Sequence, residues 1–170
     1  MINQGAVIDP TGYYRYSLWR VWKPKTSRVA FIMLNSSRAD ATVNDATIRR
    51  CIGFAQRWGY GSLEVVNLFA YRTSDPARLK QMRDPAGPEN DFYLKQAIER
   101  AKLTILAWGN RGNLNQRSQQ VFSWLTPWEN CYCLGKTRSG NPRHPLYLKR
   151  ETKPIAYFPL QSGAQSVAGS

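Results

Sequence analysis

Residues 29–34 read Val-Ala-Phe-Ile-Met-Leu, an apolar run with no polar side chain in it, and residues 35–45 then read Asn-Ser-Ser-Arg-Ala-Asp-Ala-Thr-Val-Asn-Asp. A strand with one wet face alternates apolar and polar residues, whereas an unbroken apolar run is the pattern of a strand buried on both faces. Such a strand sits inside a mainly parallel sheet covered by helices on either side. Its polar continuation then falls at the carboxyl edge of that sheet, where ligands bind in folds of this class.

The rest of the chain repeats the alternation. Ile48, Cys51, Ile52 and Ala55, with Trp58, mark one face of a helix that Asn44 or Asp45 can cap and Gly59 can end. Residues 63–70, Leu-Glu-Val-Val-Asn-Leu-Phe-Ala, form a second strand, interrupted by Asn67, and residues 103–108, Leu-Thr-Ile-Leu-Ala-Trp, a third. Residues 131–134 form a short fourth. Between them, residues 89–101 and 116–125 carry apolar side chains at helical spacing, the latter stopped by Thr126-Pro127, and a short helix is expected at 77–82 with Pro76 in its first turn. In residues 2–25 Tyr14, Tyr16 and Leu18 alternate with Arg15, Ser17 and Trp19, which suits an edge strand or hairpin. The expected fold is therefore α/β with three layers, helices on both faces of a central, mainly parallel four-stranded sheet, and an N-terminal edge strand or hairpin. One domain is expected over residues 1–160, with 161–170, rich in Gln, Ser, Gly and Ala, as a loose tail.

Composition narrows the partner. Twenty-four Lys and Arg against eleven Asp and Glu leave a formal charge of +13, which points to a polyanion, nucleic acid first. A generally basic surface is the plainer alternative. The arginines are spread along the chain without a basic amphipathic helix, and no run approaches the ~20 apolar residues of a membrane span, so a soluble, cytoplasmic protein without a membrane partner is expected. The three cysteines, Cys51, Cys131 and Cys133, are an odd number without a leader and suit a reducing compartment; with a single histidine in the chain, no metal or other cofactor is expected.

Four loops follow the four strands. The first carries Asn35, Ser36, Ser37, Arg38 and Asp40, residue types that serve turns and caps as readily as ligands. Asn67 lies within an apolar strand, where an unpaired amide costs about 1–3 kcal/mol. Its partner is either backbone in a neighbouring loop or the edge of a base. His144 stands between Pro142 and Pro145, a stiff setting that suits a catalytic or base-contacting group, or simply a turn with an exposed ring. Arg38, Arg72, Arg111, Lys136, Arg138 and Arg143 are candidate phosphate contacts. Of the aromatic residues Tyr13, Tyr14, Phe69, Tyr71, Trp108 and Tyr147, several belong to the core and any that line the strand-end cleft could stack on an extruded base, Phe69 and Tyr71 first.

The order of these motifs, a strand ending on Asn35, a strand carrying Asn67, Ile105-Leu-Ala-Trp-Gly109 and a late His144-Pro-Leu, resembles the uracil-DNA glycosylase superfamily over residues 29–148. Tyr16-Ser-Leu-Trp-Arg20, Met33-Leu-Asn-Ser-Ser-Arg-Ala-Asp40, Thr47-Ile-Arg-Arg50, Val66-Asn-Leu-Phe-Ala70 and Pro142-Arg-His-Pro-Leu-Tyr-Leu148 are more specifically similar to a bacterial family labelled as a domain of unknown function. The superfamily resemblance implies hydrolysis of a base–sugar bond in DNA, expected to be double-stranded with the nucleotide flipped out, and no obligate protein partner. It implies that the first motif orients water, through Asn35 and Asp40, that His144 donates to the leaving base, and that Asn67, Phe69, Tyr71 and Ser37 hold that base. Asn35 stands where efficient members often have Asp, and an amide orients water without acting as a base, so Asp40 or Asp45 takes that role or turnover is slow. Arg143-His-Pro-Leu departs from the His-Pro-Ser-Pro pattern of uracil enzymes. Defence proteins of the superfamily that recognise bulky modified phage bases, such as glucosylated hydroxymethylcytosine, are similar in this respect. The competing reading is a module that binds nucleic acid or a modified nucleotide without cutting it.

Overall fold

The structure, a computed structural model, describes residues 1–125 and 130–158. The expected stop at Thr126-Pro127 and the expected tail at 161–170 lie outside the described residues. Strands β1 (Asn3–Ile8), β2 (Arg15–Val21), β3 (Arg28–Asn35), β4 (Ser62–Phe69), β5 (Leu103–Leu106), β6 (Cys131–Cys133) and β7 (Ile155–Ala156) form one mixed sheet in the order β1-β2-β4-β3-β5-β6-β7. Helices α1 (Ala46–Arg57), α2 (Asn90–Arg100) and α3 (Arg117–Leu125) complete the α/β architecture.

The four expected strands are the parallel centre, with β4, β3, β5 and β6 in parallel register. The sheet is wider than the expected four strands, however, with seven among the described residues: the parallel four, the N-terminal hairpin, one of the two expected forms, and a further strand after β6. Strands β1 and β2 form an antiparallel hairpin, and β2 pairs antiparallel with β4, so β2 is interior and β1 is the edge. Strand β7 adds to β6 through Tyr132–Ala156 and Cys133–Ile155. Two exposed residues carry no periodicity that a sequence reading could find.

The period-two geometry of strands explains why the central run has no polar residue. Val29, Phe31 and Met33 of β3 face α1, packing with Leu63, Val65, Ile48, Cys51 and Phe54. Ile32 and Leu34 face the other way, into a second core with Val66, Leu68, Leu94, Ile98 and Val121. Each such side chain contributes about 1.5–3 kcal/mol by leaving water. Asp45 caps α1, its side chain accepting from the Ile48 amide, as one of the two expected capping residues. The expected short helix is a 3-10 turn, Pro76–Gln81, capped by Asp75. At the far end of β4 from its carboxyl edge, buried Glu64 binds Arg28 at 3.0 Å and Arg100 at 2.7 Å and accepts from Ser17.

Candidate active site

A cavity of about 240 Å³ opens at the carboxyl edge of the parallel strands. Asn35 and Ser37 reach it from the end of β3, Asp45 and Thr47 from the start of α1, Thr73 and Ser74 from the loop after β4, Trp108 from beyond β5, and His144 from the loop after β6. Every one of the four loops that follow the parallel strands contributes. Arg15, from the start of β2, also lines it.

The Asn35 amide is oriented by the backbone. Its Nδ2 donates to the carbonyls of Ser36 and Thr73, both at 2.8 Å, and because two acceptors hold the nitrogen, Oδ1 is left free as the acceptor of this side chain among the described residues. Ser37 Oγ donates to Asp45 Oδ2, while Asp45 Oδ1 accepts from the Ile48 amide at 2.8 Å. Both carboxylate oxygens thus already accept a hydrogen bond.

The histidine tautomer is set in the same way. His144 Nδ1 accepts from the Leu146 amide at 3.2 Å, so a neutral ring carries its proton on Nε2 as a donor. Its loop is fastened to the turn after Trp108 by the Gly109 amide, which donates to the Pro142 carbonyl at 2.7 Å. Gly109 makes that approach at φ +72°, a conformation that suits glycine. Burial pushes the His144 pKa below its ordinary 6.5, against the field of Asp45, and so favours the neutral ring at pH 7.

This shift has a consequence for stability. As pH falls below 6.5, an unfolded chain protonates its histidine while the folded chain resists, so the unfolded state binds more protons and folding stability drops with it. The loss grows until pH reaches the depressed folded value and then levels. With one histidine in the chain, His144→Asn is expected to remove this slope between about pH 5 and 7. Urea titrations across that interval check it, and an identical slope in both proteins would contradict a depressed His144.

Of the expected site residues, the structure brings Asn35, Ser37 and His144 together, with Asp45 as the carboxylate. Asp40 does not belong to the cavity. Its Oδ1 accepts from the amides of Thr42 and Val43, which makes it a turn former and holds its pKa below the ordinary carboxylate value through those backbone donors. Asn67 is also displaced from its expected role. It is buried in β4, and its Nδ2 donates at 3.1 Å to Ser36 Oγ, which in turn donates to the Arg15 carbonyl at 2.8 Å. It positions the first motif from behind. Phe69 is fully buried in the second core, and Tyr71 packs against the same core while touching Tyr14 edge-on, so neither lines the cavity.

The expected cations differ in their settings. Arg38, Arg111, Arg138 and Arg143 are exposed. Arg72 is half-buried and donates to the carbonyls of Ser37 and Gly12, which makes it a brace between two loops. The Lys136 ammonium sits 4.7 Å from the centre of the Tyr157 ring. Two wider clefts flank the cavity. One, of about 550 Å³, shares His144 and includes Arg143 and Lys149; the other, of about 520 Å³, shares Pro76 and includes Lys80 and Arg111. Tyr147 lines the first of these, is 94% exposed and sits at φ +69°, which is uncommon for a non-glycine residue.

Arg15, Thr47, Thr73 and Ser74 also line the cavity, and the sequence reading did not select them for it, whereas Trp108, one of the aromatic residues named for the strand-end cleft, does line it. Arg15 is 2% exposed, a fact that its place in a mixed polar and aromatic segment does not reveal. Among the described residues no group of three or more His, Cys, Asp or Glu could hold a metal ion, and no helix is long and apolar enough to cross a membrane. The three cysteines are free and buried, and desolvation raises each thiol above its ordinary pKa. A family model described as protein of unknown function (DUF1643) matches residues 15–146. No curated protein and no solved structure matches the chain.

Proposed function

For this chain, which belongs to the DUF1643 family, we propose hydrolysis of the N-glycosidic bond of a flipped, modified pyrimidine in DNA, with glucosylated hydroxymethylcytosine as the model substrate and an abasic site as the product. The observation that carries the reading is His144, a half-buried ring whose Nε2–H is free among the described residues, lining with Asn35 the cavity that every parallel-strand loop helps to build. As the bond between sugar and base breaks, its electrons go to the base, and a fixed neutral donor stabilises the charge that develops there. Asn35 Oδ1 is the acceptor that orients the attacking water. The resemblance to the uracil-DNA glycosylase superfamily supports the same assignment of roles. A cavity of about 240 Å³ is small for a ligand pocket but suits a single ring, and the larger cleft that shares His144 leaves room for a bulky substituent.

Exposed Tyr147 is placed to enter the gap that an extruded nucleotide leaves, as aromatic and apolar side chains do between base steps. Arg138 and Arg143 then contact phosphates. Replacing either with Ala is expected to weaken binding across sequences and to lower the salt slope by about one per lost contact, measured by fluorescence anisotropy over a salt series.

A second reading, binding without cleavage, is favoured by one observation. Among the described residues Asp45 is the only carboxylate lining the cavity, and both its oxygens already accept hydrogen bonds, so the water lacks a free base. Duplexes containing uracil, hydroxymethylcytosine or glucosylated hydroxymethylcytosine, incubated with the protein and then treated with mild alkali, separate the two. Strand breakage confined to one base supports excision and identifies the substrate; tight binding with every strand intact supports the module.

A further inference from the structure

A guanidinium removed from water is ordinarily matched by a carboxylate, because an isolated buried charge is costly. Arg15 is 2% exposed, lines the cavity, and has no carboxylate within ion-pair distance among the described residues. One of its nitrogens is accounted for, since Nη1 donates to the Ala39 carbonyl at 2.8 Å. Nε is buried without a partner, and Nη2 donates to no described group. The N–H groups of Nε and Nη2 are parallel, so the unspent part of this side chain is one whole bidentate edge of the fork. Asp45 acts on Arg15 only through its field, its own oxygens being held by Ser37 and Ile48.

We propose that Arg15 is the anion receptor of the cavity, and that its unspent Nε/Nη2 edge grips a carbonyl oxygen of the base as negative charge builds on that oxygen. The inference deepens the glycosylase reading and rests on it for the identity of the ligand. The shared chemistry, an acceptor oxygen bearing negative charge, would also describe a carboxylate or a phosphate. A flat ring is favoured because the cavity that Arg15 lines is also lined by Met33, Leu34, Ile48, Pro76 and Trp108, apolar surface that a ring covers and a phosphate does not. Arg15 and His144 then divide the departing charge between a fixed cation and a neutral donor.

Barbiturate, a pyrimidine that is an anion at neutral pH, serves as the probe, with cytosine as its neutral counterpart and inorganic phosphate as the anion without a ring. In calorimetric titrations of the purified full chain, barbiturate is expected to bind at least about tenfold more tightly than cytosine, and Arg15→Gln is expected to remove that advantage. Arg15→Lys keeps the charge without the fork and is expected to lose about tenfold as well, while Ser74→Trp, at the exposed rim, should block both pyrimidines with Arg15 in place. Thermal melts establish that each variant is folded, and Ser74→Trp carries the test if Arg15 cannot be replaced. Equal affinity for barbiturate and cytosine, unchanged barbiturate binding in folded Arg15→Gln or in Ser74→Trp, or phosphate binding more tightly than barbiturate would each overturn the proposal. The parent reading fails separately. Arg15-dependent barbiturate binding by a protein that leaves every duplex uncut supports the receptor and removes the glycosylase, whereas excision that continues undiminished in Arg15→Gln removes the receptor alone.

Discussion

Replacing His144 with Ala is expected to lower single-turnover excision by about 10²–10⁴-fold, the range that a positioned acid–base or donor group contributes. The size of the effect follows from how the ring is held. Leu146 fixes the tautomer, the Gly109 amide ties the loop to the end of the sheet, and burial keeps the ring neutral, so the donor is in place before the base acquires charge. DNA affinity should change little, because the phosphate contacts are assigned to the exposed arginines. A loss of affinity without a loss of rate would reverse these roles, and a near wild-type rate would place the donor elsewhere.

The largest effect on stability is expected at Arg20. This side chain is fully buried in β2 and donates to Asn44 Oδ1 at 2.8 Å and to the carbonyls of Asp40 at 2.6 Å, Trp19 at 2.8 Å and Gly5 at 3.3 Å. It pins the loop between β3 and α1 onto the hairpin. Arg20→Met fills much of the volume but strands several buried acceptors, each costing about 1–3 kcal/mol if unsatisfied, so a loss of about 3 kcal/mol or more is expected. For a chain of this size that corresponds to a melting temperature lower by roughly 6–12 °C. Because the same loop presents Ser37 and Asp45, the variant should also lose cavity ligands under conditions in which it is still folded. Scanning calorimetry with a barbiturate titration at low temperature measures both, and a variant as stable as the parent would show that water replaces the guanidinium at little cost.

Legibility from sequence followed the range of the interactions involved. The parallel centre of the sheet was readable because burial on both faces leaves a local mark, an apolar run such as residues 29–34 or the mostly apolar 103–107. Helix α1 was readable because its face recurs at helical spacing and Asp45 precedes it. Strand β7 was not, since its two residues are held by pairing with β6 and carry no pattern of their own. Asn67 illustrates the limit for polar residues. Its need for a partner followed from its place in an apolar strand, but the partner, Ser36 Oγ, lies on another strand's loop, and only the parallel register of β3 and β4 brings them together. Asp40 and Asp45 both lie in the loop after β3; Asp40 spends its carboxylate on the turn at Thr42 and Val43, while Asp45 caps α1, binds Ser37 and lines the cavity.

What the amino-acid sequence by itself determined was the alternation of buried strands and amphipathic helices, the end of the sheet at which a site belongs, and the excess of positive charge. These depend on side-chain type and spacing within a few residues. Only the tertiary structure decided which polar groups meet, because the cavity is assembled from β2, from the loops of four strands and from the start of α1, separated by as much as the distance from Arg15 to His144 along the chain. The unmatched cation at Arg15 belongs to this second kind of fact, since burial and the lack of a carboxylate partner are properties of the packed neighbourhood rather than of the residue.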